Sequence, residues 1–281
     1  MIYLSKFVAS KRMVMKYTST DFNKEQATAY TLLIRIGSDE NALAIVDTEK
    51  RLKLVATYDP AITEREIRDV LNLDFAAVKL CLHGNRYTFV PEEVFDDPAT
   101  QSYLGHLPDD GLVATSVSDI PSLGIKVLHQ PDRLVTESLA VRFPDLVTYS
   151  TVQALLQGVA DYGLTSDRPV LIIDKQASTV IVCAFDKSRF IYANDFDVLG
   201  MEDFTFYLLS ILKHLGLEES RPDICLSGDV AEQDEIHQWA LSNGSEVVFA
   251  DSGALVRIAM PQELIPQQHR FLTLLGLHLC E

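Results

Sequence analysis

The side chains able to do chemistry in this chain gather at two strand tips. The first tip reads Arg35, Ile36, Gly37, Ser38, and the second reads Asp174, Lys175, Gln176, Ala177, Ser178, Thr179. One offers a guanidinium, which supplies only hydrogen-bond donors; the other offers a carboxylate, which accepts hydrogen bonds or ligates a hard cation. Lys175 has the charge to meet a phosphate, but alternation along the strand sends it to solvent. A third group, Ser227, Gly228, Asp229, follows the apolar run Ile224, Cys225, Leu226. Asp229 and Glu232 have the spacing of a helix cap, the Asp accepting from helix amides and the Glu reaching back. A carboxylate placed there occupies the positive helix end that would otherwise attract an anion. No HExxH, GxSxG or GxxxxGK[ST] pattern occurs, and His269 and His278 lie nine apart with no third ligand at metal spacing. The sequence thus assigns no catalytic and no metal-binding residue.

An internal repeat positions the two tips. Residues 31–59 and 170–197 share one plan: an apolar strand with a polar end, a short turn, then two further strands, and the overlay sets Arg35 on Asp174. A duplicated lobe places a site in the cleft between its copies. After the first unit, Thr63 and Glu66 have capping-box spacing ahead of a short helix carrying Ile67, Val70 and Leu71. A buried strand is expected over 75–82. Residues 91–131, rich in proline, aspartate and glycine, read as loops or an inserted subdomain. A helix over 132–143 and a strand over 145–150 follow, and a helix with Val152, Leu155, Leu156 and Val159 on one face crosses between lobes. Beyond the second unit, Phe204, Tyr207, Leu208, Ile211, Leu212 and Leu215 line a helix stopped by Gly216. A strand over 223–227 turns at Gly228 into a helix running through His237 and Trp239. A strand over 246–249 and a closing helix over 262–279 complete the chain. The expected division is an N-terminal lobe over 1–150, with the insertion, and a C-terminal lobe over 151–281.

Composition bounds the function. The chain has 281 residues, 47% of them hydrophobic, enough for a full core and two domains of ordinary size. A formal charge of -16 repels polyphosphates, which argues against nucleic acid and anionic membranes as partners. Cys81, Cys183, Cys225 and Cys280 form no CxxC pair and read as buried reduced thiols. No leader-like pattern opens the sequence, and no uncharged apolar run approaches the roughly 20 residues of a membrane helix, so the sequence reads as cytoplasmic. Lys6, Lys11, Arg12, Lys16 and Lys24 make the first stretch a basic arm.

Strands arriving in threes and then alternating with helices describe an α/β chain with mixed sheets and helices on both faces, built twice. This order resembles the superfamily of actin, sugar kinases and heat-shock chaperone ATPases, a two-lobed, duplicated ribonuclease H-like fold that clasps a nucleotide between its lobes. Within it the chain is similar to the small bacterial actin-like proteins of pilus and type II secretion assembly, and particularly to an uncharacterised bacterial family of about this length. The resemblance covers residues from about Tyr30 to Leu279. It implies that the first tip should carry an Asp, a Gly and a hydroxyl to organise magnesium and hold phosphate; here Gly37 and Ser38 match, but Arg35 stands at the Asp position. It implies Asp, any residue, Gly at the second tip, with Thr downstream; Asp174, Ser178 and Thr179 fit, while Gln176 replaces the glycine and should fill the site. The implied adenosine motif ends in two glycines, of which Gly228 remains, followed by Asp229. In the family's last helix a glycine packs close to the sheet, the position of Gly276.

Two expectations follow from these departures. Arg35 and Asp174, facing each other across the cleft, form an ion pair in place of metal and nucleotide. The protein is a non-catalytic actin-like scaffold that holds no cofactor and binds another protein. The alternative is an ATP-dependent enzyme or switch that uses Asp174 to organise magnesium, with Gly37, Ser38 and Gly228 around ATP; a third reading is an unrelated α/β binding module.

Overall fold

A computed structural model describes residues 16–61, 64–84, 86–105, 107 and 115–281, and its strands run in the repeated plan. In the first half these are β1 (Lys16–Thr18), β2 (Thr31–Ile36), β3 (Asn41–Val46), β4 (Leu52–Tyr58), β5 (Ala77–Leu82), β6 (Tyr87–Pro91), β7 (Ser116–Ile120), β8 (Ile125–His129) and β9 (Val147–Ser150). Helices α1 (Arg65–Leu71), α2 (Thr100–Tyr103) and α3 (Arg133–Ala140) lie among them. The second half opens with α4 (Thr151–Thr165), β10 (Val170–Gln176), β11 (Thr179–Asp186), β12 (Arg189–Asp197) and α5 (Met201–His214). It closes with β13 (Asp223–Gly228), α6 (Glu235–Asn243), β14 (Val247–Phe249), α7 (Ser252–Val256) and α8 (Leu272–Gly276).

Among the described residues, one sheet has the order β1-β4-β3-β2-β5-β9 and another β12-β11-β10-β13-β14. With β1 set aside, the two orders are the same. In both, the first three strands pair antiparallel and the next two join in parallel. Arg35 and Asp174 are each the fifth residue of the equivalent strand, β2 and β10, so the overlay read from sequence is a physical equivalence.

Each sheet is covered on both faces, and a period of two sorts its side chains. Leu32 and Ile34 pack outward with Ile67, Val70 and Phe143, while Leu33 points into a central core. Leu171 and Ile173 pack outward with Phe204, Leu208 and Trp239, while Ile172 joins the same central core. That core is filled by α4 (Val152, Leu155, Leu156, Val159) and α8 (Leu272, Leu275), which lie between the sheets. Alternation therefore aims Arg35 and Asp174 at the middle of the molecule. Close approach of α4 and α8 depends on Gly276, where a Cβ would sit 2.1 Å from the Ala154 carbonyl oxygen. The glycine packs against this helix rather than against the sheet.

Helix ends follow local chemistry. On α5, Gly216 sits at φ +68°, with Leu217 N–H donating to Leu212 C=O at 2.8 Å and Gly216 N–H to Lys213 C=O at 3.1 Å, a Schellman stop. Asp132 caps α3 by accepting from Val135 N–H at 3.0 Å. Other expectations are corrected. Helix α6 starts at Glu235, capped by Asp234, which accepts from His237 N–H at 2.8 Å; the Asp229–Glu232 cap does not form, because Arg270 takes the Asp229 carboxylate at 2.6 Å. The closing segment is not one helix but a 3-10 turn over Ile265–Phe271, then α8, then a 3-10 turn over Leu277–Leu279. Pro266 lacks the donor that a continuous helix needs there. The insertion begins earlier than expected, at Tyr87, and is a sheet ordered β6-β8-β7. Thr63 lies outside the described residues, and α1 has Glu64 as N-cap without a side-chain bond. Lys6, Lys11 and Arg12 also lie outside them, whereas Lys16 belongs to β1, on the edge of the first sheet, and Lys24 to a 3-10 turn.

Candidate functional site: the cleft between the repeats

The two tips meet. Ser38 Oγ and Ser178 Oγ, 140 residues apart, are hydrogen-bonded at 2.8 Å. Gly37 permits the tight β2–β3 turn, since a Cβ there would sit 2.7 Å from the Glu40 carbonyl oxygen. That turn returns Glu40 to Arg35, and Arg35 Nη2 donates to Glu40 Oε1 at 3.2 Å. Both Arg35 and Asp174 are buried. The expected Arg35–Asp174 ion pair is absent: Arg35 is taken by Glu40 on the following turn, and Asp174 by donors from its own strand and from α8. Gln176 Nε2 donates to both Asp174 carboxylate oxygens at 2.9 Å, and Thr273 Oγ1 donates to Asp174 Oδ2. A buried carboxylate needs such donors to offset lost hydration.

Lys175 is partly buried and folds back, its Nζ donating to the carbonyls of Gln176 at 2.8 Å and of Ala177, so alternation does not send it into solvent. Gly228, at φ +80°, brings β13 against β10; a Cβ would lie 2.0 Å from the Lys175 carbonyl oxygen and 2.7 Å from Asp174 Oδ1. Asp229 continues this contact through its N–H to the Lys175 carbonyl. Thr179, buried, lines the cleft, and Asp229 points away from it to Arg270. Of the residues singled out by sequence, Arg35, Gly37, Ser38, Gln176 and Thr179 border one cavity, with Asp174 and Gly228 behind Gln176 and Lys175.

That cavity measures about 10 Å³. It has room for about one water molecule, against the roughly 300–1,000 Å³ of small-molecule pockets. Glu40, His83, Thr151 and Thr273 also line it, and sequence reasoning missed all four. Thr273 and Thr151 lie in apolar helical surroundings with no local motif; Glu40 had a signal, its place on the turn returning to Arg35. Beside the cavity the halves are joined again. Tyr87 Oη donates to Asp195 Oδ1 at 2.8 Å and lies 3.1 Å from Asn194 Oδ1, and His83 Nδ1 lies 3.4 Å from Asp195 Oδ2. Burial, with the Asp195 charge next, pushes the Tyr87 hydroxyl well above its usual pKa. Among the described residues no cluster of three or more His, Cys, Asp or Glu is placed to hold a metal ion. None of their helices is long and apolar enough to cross a membrane.

The profile of one protein family, DUF3822 (Protein of unknown function), matches residues 19–241. The chain belongs to the DUF3822 family. No curated protein matches it in sequence. Among solved structures, this DUF3822 chain is similar to a Bacteroides thetaiotaomicron protein with actin-like ATPase fold and unknown function: TM-score 0.69 and 15% identity, covering 82% of this chain and 94% of that one. It is also similar to a chain of the PilM–PilN type IV pilus biogenesis complex, with TM-score 0.63 and 14% identity over 89% of this chain and 97% of that one. The fold is that of the actin-like ATPases, as the resemblance implied, and the similarity to a pilus-assembly complex is one of fold.

Proposed function

We propose that this protein is a non-catalytic relative of the actin-like ATPases that acts by binding another protein. The observation carrying this reading is the closed cleft, where Ser38 meets Ser178 and Gln176 engages both oxygens of Asp174, leaving about 10 Å³. Metal-assisted phosphoryl transfer asks for oxygen ligands around magnesium and amides open to phosphate. Arg35 supplies donors only, and Gln176 occupies the oxygens that hydrated magnesium would address. PilM, of the same fold, is known in a complex with PilN, which supports a protein as the partner. Four free, buried thiols suit a reducing cytoplasm.

Thermal melts with ATP, ADP and GTP, each with and without magnesium, test this. A ligand at about a hundred times its Kd stabilises by about 2.7 kcal/mol, so the expected outcome is an unmoved melting temperature in every arm. A magnesium-dependent rise with any nucleotide would favour the alternative, a switch built on Asp174.

A further inference from the structure

A second, far larger cavity of about 780 Å³ opens where the inserted sheet faces the C-terminal half. Its floor includes Leu123, Leu164 and Phe190, half-buried side chains packed on the central core. Phe190 is fixed from both sides, by Phe89 of the insertion (centroids 5.8 Å, edge-on) and by Phe185 (5.7 Å). The walls carry opposite charge. Glu92 and Glu93 stand on the insertion, and Arg189 stands on the β11–β12 hairpin, all three exposed. Among the described residues neither Glu93 nor Arg189 is engaged in an ion pair, so each wall presents charge free to meet a ligand. The hairpin turn holds Lys187 and Ser188 at φ +50° and +55°, which sets Arg189 at a fixed point of the rim.

We infer that this groove is a docking site for a short extended segment of a partner protein, in which an apolar side chain lies between a basic residue and an acidic one. The apolar side chain covers Leu123, Leu164 and Phe190; the basic residue meets Glu92 and Glu93; the acidic residue meets Arg189. The cavity is of the size that buries one or two large side chains and lies at a junction between subdomains, where ligand pockets concentrate. The arrangement of charge fixes the direction of the segment and discriminates against sequences of the wrong polarity. This inference rests on the reading of the protein as a protein-binding module, and it places the contact away from the closed cleft.

The test pans a display library of random peptides of about twelve residues against the full-length protein without nucleotide, with Glu92→Lys/Glu93→Lys/Arg189→Glu as counter-target. These positions are exposed, and an unchanged melting temperature verifies the fold of the variant. Expected are clones with an aliphatic or aromatic residue between Lys or Arg and Asp or Glu, whose synthetic peptides lose roughly tenfold or more in affinity on the variant. Arg35→Ala leaves their binding unchanged. Failure to enrich any clone over the counter-target overturns the proposal, as does binding that the groove variant does not weaken. Dimerisation of the wild type that the same variant abolishes also overturns it, since a second copy would then be the occupant. The nucleotide melts read the cleft separately, so loss of the non-catalytic reading and loss of the groove are distinguishable.

Discussion

At the scale of single residues, Asp174 shows how a buried carboxylate is satisfied from two elements. Gln176 on its own strand and Thr273 on α8 supply the donors. Gln176→Ala removes two of those hydrogen bonds from a fully buried carboxylate and is expected to cost about 1–3 kcal/mol, measured by urea unfolding. Arg35→Ala, which leaves only the more exposed Glu40 unpaired, should cost less than Gln176→Ala. A larger loss for Arg35→Ala than for Gln176→Ala would instead support the Arg35–Asp174 pairing expected from sequence. His129 gives a pH signature. Burial holds its pKa down at about 4, against the ordinary 6.5, so the unfolded chain binds this proton first on acidification. Stability present above pH 6.5 is then lost as pH falls from 6.5 towards 4, by about 3 kcal/mol for this group. Burial also lowers His269 and His278, in the same direction. His129→Leu should flatten the acid limb of stability against pH; an unchanged limb would show that His129 does not titrate as described.

At the scale of elements, the pattern of apolar residues carried most of the fold. Both triple-strand units, α4, α5 and β13 stand where periodicity sets them, because burial on two faces imposes a long, redundant signal. Single caps carry much less. Asp229 and Asp234 both precede α6 in sequence, and only the distant Arg270 decides between them by claiming Asp229. The cleft was legible in part for the same reason. The repeat located Arg35 and Asp174 and set them at equivalent positions, and Glu40 had a signal in the turn that returns to Arg35, but Thr273 and Thr151 reach the site through helix packing that no spacing rule encodes. The α4–α8 contact is the element-level feature most open to test. In Gly276→Ala the new Cβ would lie 2.1 Å from the Ala154 carbonyl oxygen, and the helices must part; a loss of about 2 kcal/mol or more is expected. A variant as stable as the wild type would mean that the helices have room to spare.

At the scale of the whole molecule, one core serves both halves. Leu33 and Val55 of the first sheet, α4 and α8, and Ile172 and Cys183 of the second belong to a single buried cluster. Backbone bonds reinforce the union: Ala259 N–H donates to Lys50 C=O at 2.8 Å, and Leu52 N–H to Ala259 C=O at 3.3 Å. Differential scanning calorimetry should therefore show one transition with equal calorimetric and van't Hoff enthalpies. Two resolved transitions would mean that the lobes melt independently.

The four cysteines give this architecture a set of internal reporters. Cys81 sits on β5, Cys183 on β11, Cys225 on β13 and Cys280 at the C-terminal end, and all are buried. Burial pushes every one of these thiols up, Cys225 and Cys280 to about 12, so an alkylating reagent finds neither access nor thiolate in the native state. Modification then proceeds only through opening, and its order along the chain, read by mass spectrometry, traces which sheet lets go first.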